Sequence, residues 1–191
     1  MSGLAFFREY LRNWKTVGAV APSSPALARR MAESGEVWKA GHVLELGPGT
    51  GSLTTAVADS MPHGAKYLGI ELNPEFTTRL RRSFPSLRFE QAGAQDFDFD
   101  AYMGKEERFD VIISGLPWAA FPPTLQTAIL DHVLPRLAPG GRFVTFAYYG
   151  FHKMPAGVKF RHTLHQRLHG TETSRIVWGN IPPAFVYVAR A

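Results

Sequence analysis

Apolar and polar positions follow two rhythms along this chain. Short apolar runs at 42–46, 66–71, 87–91, 109–114 and 141–147 predict buried strands. Segments at 51–60, 74–83 and 123–137 predict helices between them. Strands alternating with helices mean a parallel sheet with right-handed crossovers. Pro139-Gly140-Gly141 predicts the turn into the fifth strand, and 156–169 a further helix. Arg175–Trp178 and Ala184–Arg190 predict two last strands. The five residues between them are too few for a crossover, so this pair is expected to be antiparallel. Upstream, Leu4, Phe7, Leu11 and Trp14 recur at helical spacing, with Arg8, Glu9 and Arg12 on the other side. Val17 to Ala21 is apolar and ends at Pro22. Ser24 is placed to cap a second helix whose first turn holds Pro25 and which Gly35 can end. No repeat or boundary divides the chain. It reads as one domain, 1–191, with an N-terminal helical segment (1–36) and a core (42–191).

The run Glu45-Leu46-Gly47-Pro48-Gly49-Thr50-Gly51 follows the first strand. Three glycines let the backbone turn tightly and approach a ligand, and the helix they open presents free N–H groups. The second strand ends at Glu71, twenty residues beyond Gly51, followed by Leu72. A carboxylate there can accept from both hydroxyls of a ribose. Residues 43–71 therefore read as a βαβ unit that holds a nucleoside. The dinucleotide fingerprint does not fit, since Ser52 stands where its third glycine belongs, and no Gly-Lys-Ser/Thr makes a P-loop. Glu-Leu-Gly-Pro-Gly-Thr-Gly instead resembles the first motif of the class I methyltransferases, which bind S-adenosylmethionine. That resemblance implies a Rossmann-like α/β fold, a mostly parallel seven-stranded sheet with an antiparallel C-terminal hairpin.

Charge refines the picture. Residues 1–40 hold six Lys/Arg and three Asp/Glu, residues 41–141 hold eight and twelve, and residues 142–191 hold seven and one. Basic ends around an acidic middle point to an anionic partner, phospholipid or nucleic acid. The chain has no cysteine, so disulfides and thiolate metal sites are excluded. No apolar run reaches transmembrane length, and the charges scattered through the N-terminus do not read as a secretory signal. A cytoplasmic protein is expected.

Ser114-Gly115-Leu116-Pro117-Trp118 follows the fourth strand, at the sheet edge where ligands of open α/β folds bind. The segment resembles the Asn/Asp-Pro-Pro-Tyr/Phe loop of methyltransferases acting on amino groups, with serine in place of the amide or acid and Trp118 in place of Tyr or Phe. An attacking amine needs its lone pair free and aimed. A serine hydroxyl and loop carbonyls can accept its N–H bonds, and an aromatic face favours the cationic product. Holding the two reactants in line can supply roughly 7–11 kcal/mol of the barrier, and no metal is required. Tyr148 and Tyr149, past the fifth strand, either border the same amine or simply pack.

Phe6-Phe7-Arg8-Glu9-Tyr10-Leu11-Arg12-Asn13, Val17-Gly18-Ala19-Val20-Ala21-Pro22-Ser23-Ser24 and Leu27-Ala28, with the glycine turn and the Ser-Gly-Leu-Pro loop, are similar to the bacterial phospholipid N-methyltransferases. The resemblance covers nearly the whole chain. It implies stepwise methylation of phosphatidylethanolamine, or a related amino lipid, towards phosphatidylcholine, with S-adenosylhomocysteine as the other product. It further implies that Glu45, Gly47, Pro48, Gly49, Thr50, Gly51, Glu71 and Leu72 border the cofactor, with Ser114 touching it from the fourth strand, and that Ser114 to Trp118 border the amine. Ser23 and Ser24 close over the cofactor in the same reading. Related enzymes often carry an acid that accepts from the adenine amino group where Gly93 stands here, which leaves Gly93, Ala94, Gln95 or Asp96 to read adenine. The same resemblance implies a monomer at the inner face of the membrane. Its contacts with anionic lipid would run through the N-terminal helix and the basic C-terminal region.

Two other motifs carry less. His162, His165 and His169 share one face of the predicted helix without an acid to complete a metal site, and read as basic surface. Asp96, Asp98 and Asp100 alternate with Phe97 and Phe99 and read as a solvated edge, not a calcium loop. Two rival functions stay open: an RNA adenine N6-dimethyltransferase, and a methyltransferase fold that binds cofactor or membrane without catalysis.

Overall fold

Every residue of strand β1 (His42–Leu46) is buried, which places it at the centre of a sheet covered on both faces. The computed structural model describes residues 23–191; the predicted helix at 4–14 and the apolar segment at 17–21 lie outside them. After β1 come helix α2 (Ser52–Ser60), β2 (Lys66–Glu71), α3 (Pro74–Ser83), β3 (Arg88–Gln91), a short α4 (Phe99–Met103) and β4 (Phe109–Ser114). Then follow α5 (Pro123–Val133), β5 (Leu137–Tyr148), α6 (Pro155–Arg167), β6 (His169–Thr173) and β7 (Ala184–Arg190), with α1 (Pro25–Ser34) preceding β1. The sheet order is β3-β2-β1-β4-β5-β7-β6. β1 to β5 pair in parallel, and β7 runs antiparallel to both β5 and β6. This is the seven-stranded, mostly parallel α/β sheet with an antiparallel C-terminal pair that the sequence implies.

Alternation along the strands divides the core. Leu44, Leu46 and Ile112 pack with α5, α6 and Phe143 on one face. Val43, Val111 and Ile113 pack with α1 and α2 on the other. α1 starts as its sequence predicts: Ser24 Oγ accepts from Leu27 N at 3.2 Å.

The structure corrects several boundaries. The predicted helix at 123–137 stops at Val133 and tightens into a single 3₁₀ turn over Leu134–Arg136. Pro135 explains the change, because it has no N–H to donate to the preceding turn. The expected turn at Pro139–Gly141 is a bulge inside β5: Leu137 pairs with Phe109, then Arg142 with Val111. The helix predicted to reach 169 ends at Arg167, and His169 belongs to the edge strand β6. His162 and His165 are exposed on α6, so the three histidines do not share one helical face. The expected strand at 175–178 makes only the isolated bridge Val177–Ala184, and the partner of β7 is β6. β6 is polar and largely exposed, so it lacks the apolar alternation that marks a strand in sequence. α4 was not predicted; Asp98 caps it by accepting from Ala101 N at 2.9 Å.

Candidate active site

The chain reverses its winding between β1 and β4, which are neighbours, so a crevice opens beyond their carboxyl ends. The loops that follow these strands meet there. Gly115 N donates to Leu46 O at 2.8 Å, and Gly47 N donates to Ile70 O at 2.9 Å. Gly47, Gly49 and Gly51 all have positive φ (68°, 58° and 88°). A Cβ on Gly47 would lie 2.6 Å from Leu116 Cδ2, so glycine is required both by conformation and by space. Gly51 caps α2 and packs against Phe84 and Leu80. It therefore serves the contact between α2 and the end of α3.

The resulting cleft is lined by Gly47, Ile70, Glu71, Leu72, Leu116 and Phe121, with Ala92 to Gln95 on one side and Leu125 and Ile129 below. Glu71 is 4% exposed. One carboxylate oxygen accepts from Gly49 N at 2.9 Å and the other from Asn73 N at 2.8 Å. Leu72 N–H also acts on this carboxylate, and with about four acceptor sites in all it keeps capacity for a ligand hydroxyl. Burial raises its pKa, and the backbone N–H groups of Asn73 and Gly49 oppose that rise.

Gly93, Ala94 and Gln95 reach this cleft as predicted. Around Gly93 the space for a side chain is already filled: an added Cβ would lie 2.6 Å from Gln95 Nε2 and 2.7 Å from Asp96 Oδ2. Gln95 Nε2 donates to Asp96 Oδ2 at 2.6 Å. A side chain at position 93 would therefore have to displace this pair.

Other expected site residues lie elsewhere. Glu45 is fully buried on the opposite face of the sheet and does not line the cleft. Its carboxylate accepts from Tyr67 OH at 2.6 Å and from Thr54 Oγ1 at 3.2 Å. Burial raises its pKa to about 7. Strand alternation decides this: Leu44 and Leu46 face α5, so Glu45 must face α2. Ser23 and Ser24 do not line the cleft either; Ser24 N donates to Asn180 Oδ1 at 2.9 Å, tying α1 to the turn before β7. Pro48 is buried and Thr50 exposed within the glycine turn, with neither on the cleft wall.

Ser114 is fully buried at the end of β4. Its Oγ accepts from Trp118 Nε1 at 3.1 Å and from Leu116 N at 3.3 Å, and its carbonyl accepts from Thr145 Oγ1 at 3.1 Å. The hydroxyl oxygen expected to receive an amine N–H is therefore committed to shaping the loop. Trp118 is 2% exposed and stacks on Phe160, with ring centroids 4.8 Å apart and planes at 17°. That face of the indole is covered.

Beside the loop lies a second cavity of about 570 Å³. Pro117, Trp118, Phe146, Tyr148, Phe160 and Tyr187 form much of its wall, and Phe151, His152, Met154 and Pro182 extend it outwards. Tyr148 lines it; Tyr149 does not. Among the described residues His152 is the only imidazole on the wall, and its Nδ1 accepts from Gly150 N at 3.2 Å. Sequence reasoning missed the residues after 150. Their one signal is the density of aromatic side chains between Phe143 and Phe160.

A family model described as "Methyltransferase domain" matches residues 43–141, which run from β1 through β4 to the bulge of β5. The chain belongs to the S-adenosylmethionine-dependent methyltransferases. Among curated proteins, an ornithine lipid N-methyltransferase of Singulisphaera acidiphila is 30% identical over 141 residues, covering 72% of this chain and 73% of that protein. Ribosomal RNA small subunit methyltransferase A of Chlorobium phaeobacteroides is 28% identical over 52% of this chain and 36% of its own length. Among solved structures, an O-methyltransferase from Bacillus cereus in complex with SAH superposes with a TM-score of 0.70 at 14% identity, covering 98% of this chain and 91% of that one. This methyltransferase thus keeps its fold where little sequence is shared. Its cleft fits the cofactor on its own geometry. A buried carboxylate stands at the end of β2, and Gly47, whose φ of 68° suits glycine, lines the same cleft.

Proposed function

We propose that this methyltransferase transfers methyl groups to the amino head group of a membrane lipid, phosphatidylethanolamine or a related amino lipid such as an ornithine lipid. The reading rests above all on the apolar cavity that adjoins the Ser114–Trp118 loop. Among the described residues its wall carries no carboxylate, Lys or Arg, so it suits an aliphatic substituent better than a polyanion. The similarity to an ornithine lipid N-methyltransferase over most of both chains supports the same class of substrate.

Bound S-adenosylmethionine supplies a methyl group activated by its sulfonium. In this reading Glu71 holds the ribose and residues 93–95 border the adenine. Backbone carbonyls of the 115–117 loop accept the amine N–H groups, because Ser114 Oγ is already bonded twice. Ser114 and Trp118 act by fixing that loop. The Tyr148 ring, half-buried on the cavity wall, borders the amine. While Nδ1 of a neutral His152 accepts from Gly150, its proton sits on Nε2. In that state the ring is a donor, suited to a lipid's phosphate or carboxylate rather than to the amine. The protein partner surface is an anionic membrane, and the site of action its inner face; no helix among the described residues is long and apolar enough to cross a membrane.

A second reading has one observation in its favour, the partial similarity to ribosomal RNA methyltransferases. Incubation of the pure protein with methyl-labelled cofactor separates the two. Label in phosphatidylethanolamine or ornithine lipid vesicles supports the lipid reading. Label in ribosomal RNA overturns it. Cofactor binding with transfer to neither indicates a non-catalytic member of the fold.

A further inference from the structure

Six of the seven large apolar side chains exposed among the described residues lie close together: Tyr149, Phe151, Met154, Val158, Trp178 and Ile181; only Trp38 lies elsewhere. Trp178 is 68% and Ile181 80% exposed, values that leave most of each residue in water. They come from two stretches of chain, 149–158 and 178–181. Tyr149 N donates to Pro183 O at 2.7 Å, and the Tyr149 and Trp178 rings lie 5.8 Å apart. Phe151 and Met154 belong both to this patch and to the cavity wall, and Pro182, next to Ile181, lines the wall too, so the patch borders the 570 Å³ cavity. An exposed apolar cluster of this kind marks an interaction surface.

We propose that this rim is a membrane-docking surface, which enters the interfacial layer of a bilayer and opens the cavity towards its lipids. The inference rests on the lipid reading above and adds the surface that delivers the lipid. Two observations select a bilayer as the occupant. The first is charge. Lys153 sits 6.0 Å from the Tyr149 ring, Lys159 and Arg175 are exposed nearby in sequence, and from 142 to 191 the sole acid is Glu172, on the edge strand. Exposed Trp, Tyr and aliphatic side chains among cations match the head-group layer of an anionic membrane. The second is continuity. One cavity wall joins Phe151 and Met154 of the rim to Pro117 and Trp118 of the transfer loop, so a lipid entering at the rim reaches that loop. The Ser24 N–Asn180 Oδ1 hydrogen bond ties the start of α1 to the same turn that carries Ile181.

Vesicles of phosphatidylglycerol and phosphatidylcholine contain no primary amine, so binding to them is independent of catalysis. The full-length protein is expected to partition onto such vesicles. Its tryptophan emission should shift to the blue and be quenched by lipids brominated on the acyl chains. Trp178→Phe should remove a large share of that quenching. The double variant Trp178→Ala/Ile181→Asp should lower the partition coefficient at least tenfold, while its melting temperature and its affinity for S-adenosylhomocysteine stay unchanged. Undiminished quenching in Trp178→Phe, or unchanged partition of the double variant, overturns the proposal. So does a dimer in solution that Ile181→Asp dissociates, because a second copy would then be the occupant. Binding without methylation of any lipid would sink the substrate reading and leave the docking surface standing. Methylation of detergent-dispersed lipid without vesicle binding would do the reverse.

Discussion

Trp118 Nε1 donates to Ser114 Oγ across 3.1 Å, and neither side chain has more than marginal contact with solvent. This bond closes the loop after β4 on itself and turns the indole onto Phe160. Ser114→Ala should leave the buried indole N–H and Leu116 N–H without a partner. A loss of about 1–3 kcal/mol in stability follows, measured by urea unfolding. Methyl transfer should fall while the dissociation constant for S-adenosylhomocysteine stays within about twofold. A variant as stable as the wild type would show that the bond does not hold the loop.

Glu71 joins the glycine turn to the end of β2 through Gly49 N and Asn73 N. Glu71→Ala should weaken cofactor binding roughly 10- to 100-fold, since hydrogen bonds to a carboxylate are worth about 1.5–3 kcal/mol. Calorimetric titration with S-adenosylhomocysteine checks this. Wild-type affinity would remove Glu71 from the ribose site.

Gly47→Ala tests the cradle from the other side. The new methyl would meet Leu116 Cδ2 at 2.6 Å from a residue with φ of 68°. A left-handed conformation alone costs a non-glycine residue about 1–2 kcal/mol. Both a lower melting temperature and weaker cofactor binding are expected. Retention of full affinity would mean that Leu116 can retreat without disturbing the cleft.

Glu45 predicts a pH dependence. Its folded pKa, about 7, lies above the ordinary carboxyl value of 4.5 because burial disfavours the carboxylate. The folded state therefore binds more protons than the unfolded one between these two values. The contribution of Glu45 is fully present below pH 4.5 and is lost as pH rises through 7. Glu45→Gln removes this titration. The stability of the variant relative to the wild type should rise between pH 4.5 and 7, by an amount on the order of 3 kcal/mol, and level off above. Parallel stability curves for the two proteins across that window would show that Glu45 stays charged in the fold.

The burial of Glu45 shows how far a motif read from sequence reaches. It sits two residues from Gly47, inside the segment that resembles a cofactor motif, yet strand alternation turns it to the other face. The glycines, Glu71 and residues 93–95 were legible because each is fixed by local rules: positive φ, the end of a strand, the start of a loop. Ser23 and Ser24 were not. The backbone N–H of Ser24 is held by Asn180, more than 150 residues away.

The sequence alone determined the alternation of strands and helices, the place of the cleft beyond β1 and β2 and the carboxylate that lines it, since periodicity and glycine are properties of short stretches of chain. Only the tertiary structure decided that Ser114 is spent on Trp118, that the polar stretch 169–173 is a strand, and that residues from 117, 146–160, 182 and 187 enclose one cavity. These depend on which segments the sheet order β3-β2-β1-β4-β5-β7-β6 brings side by side. Contacts of that kind join residues far apart in the chain, and no local pattern records them.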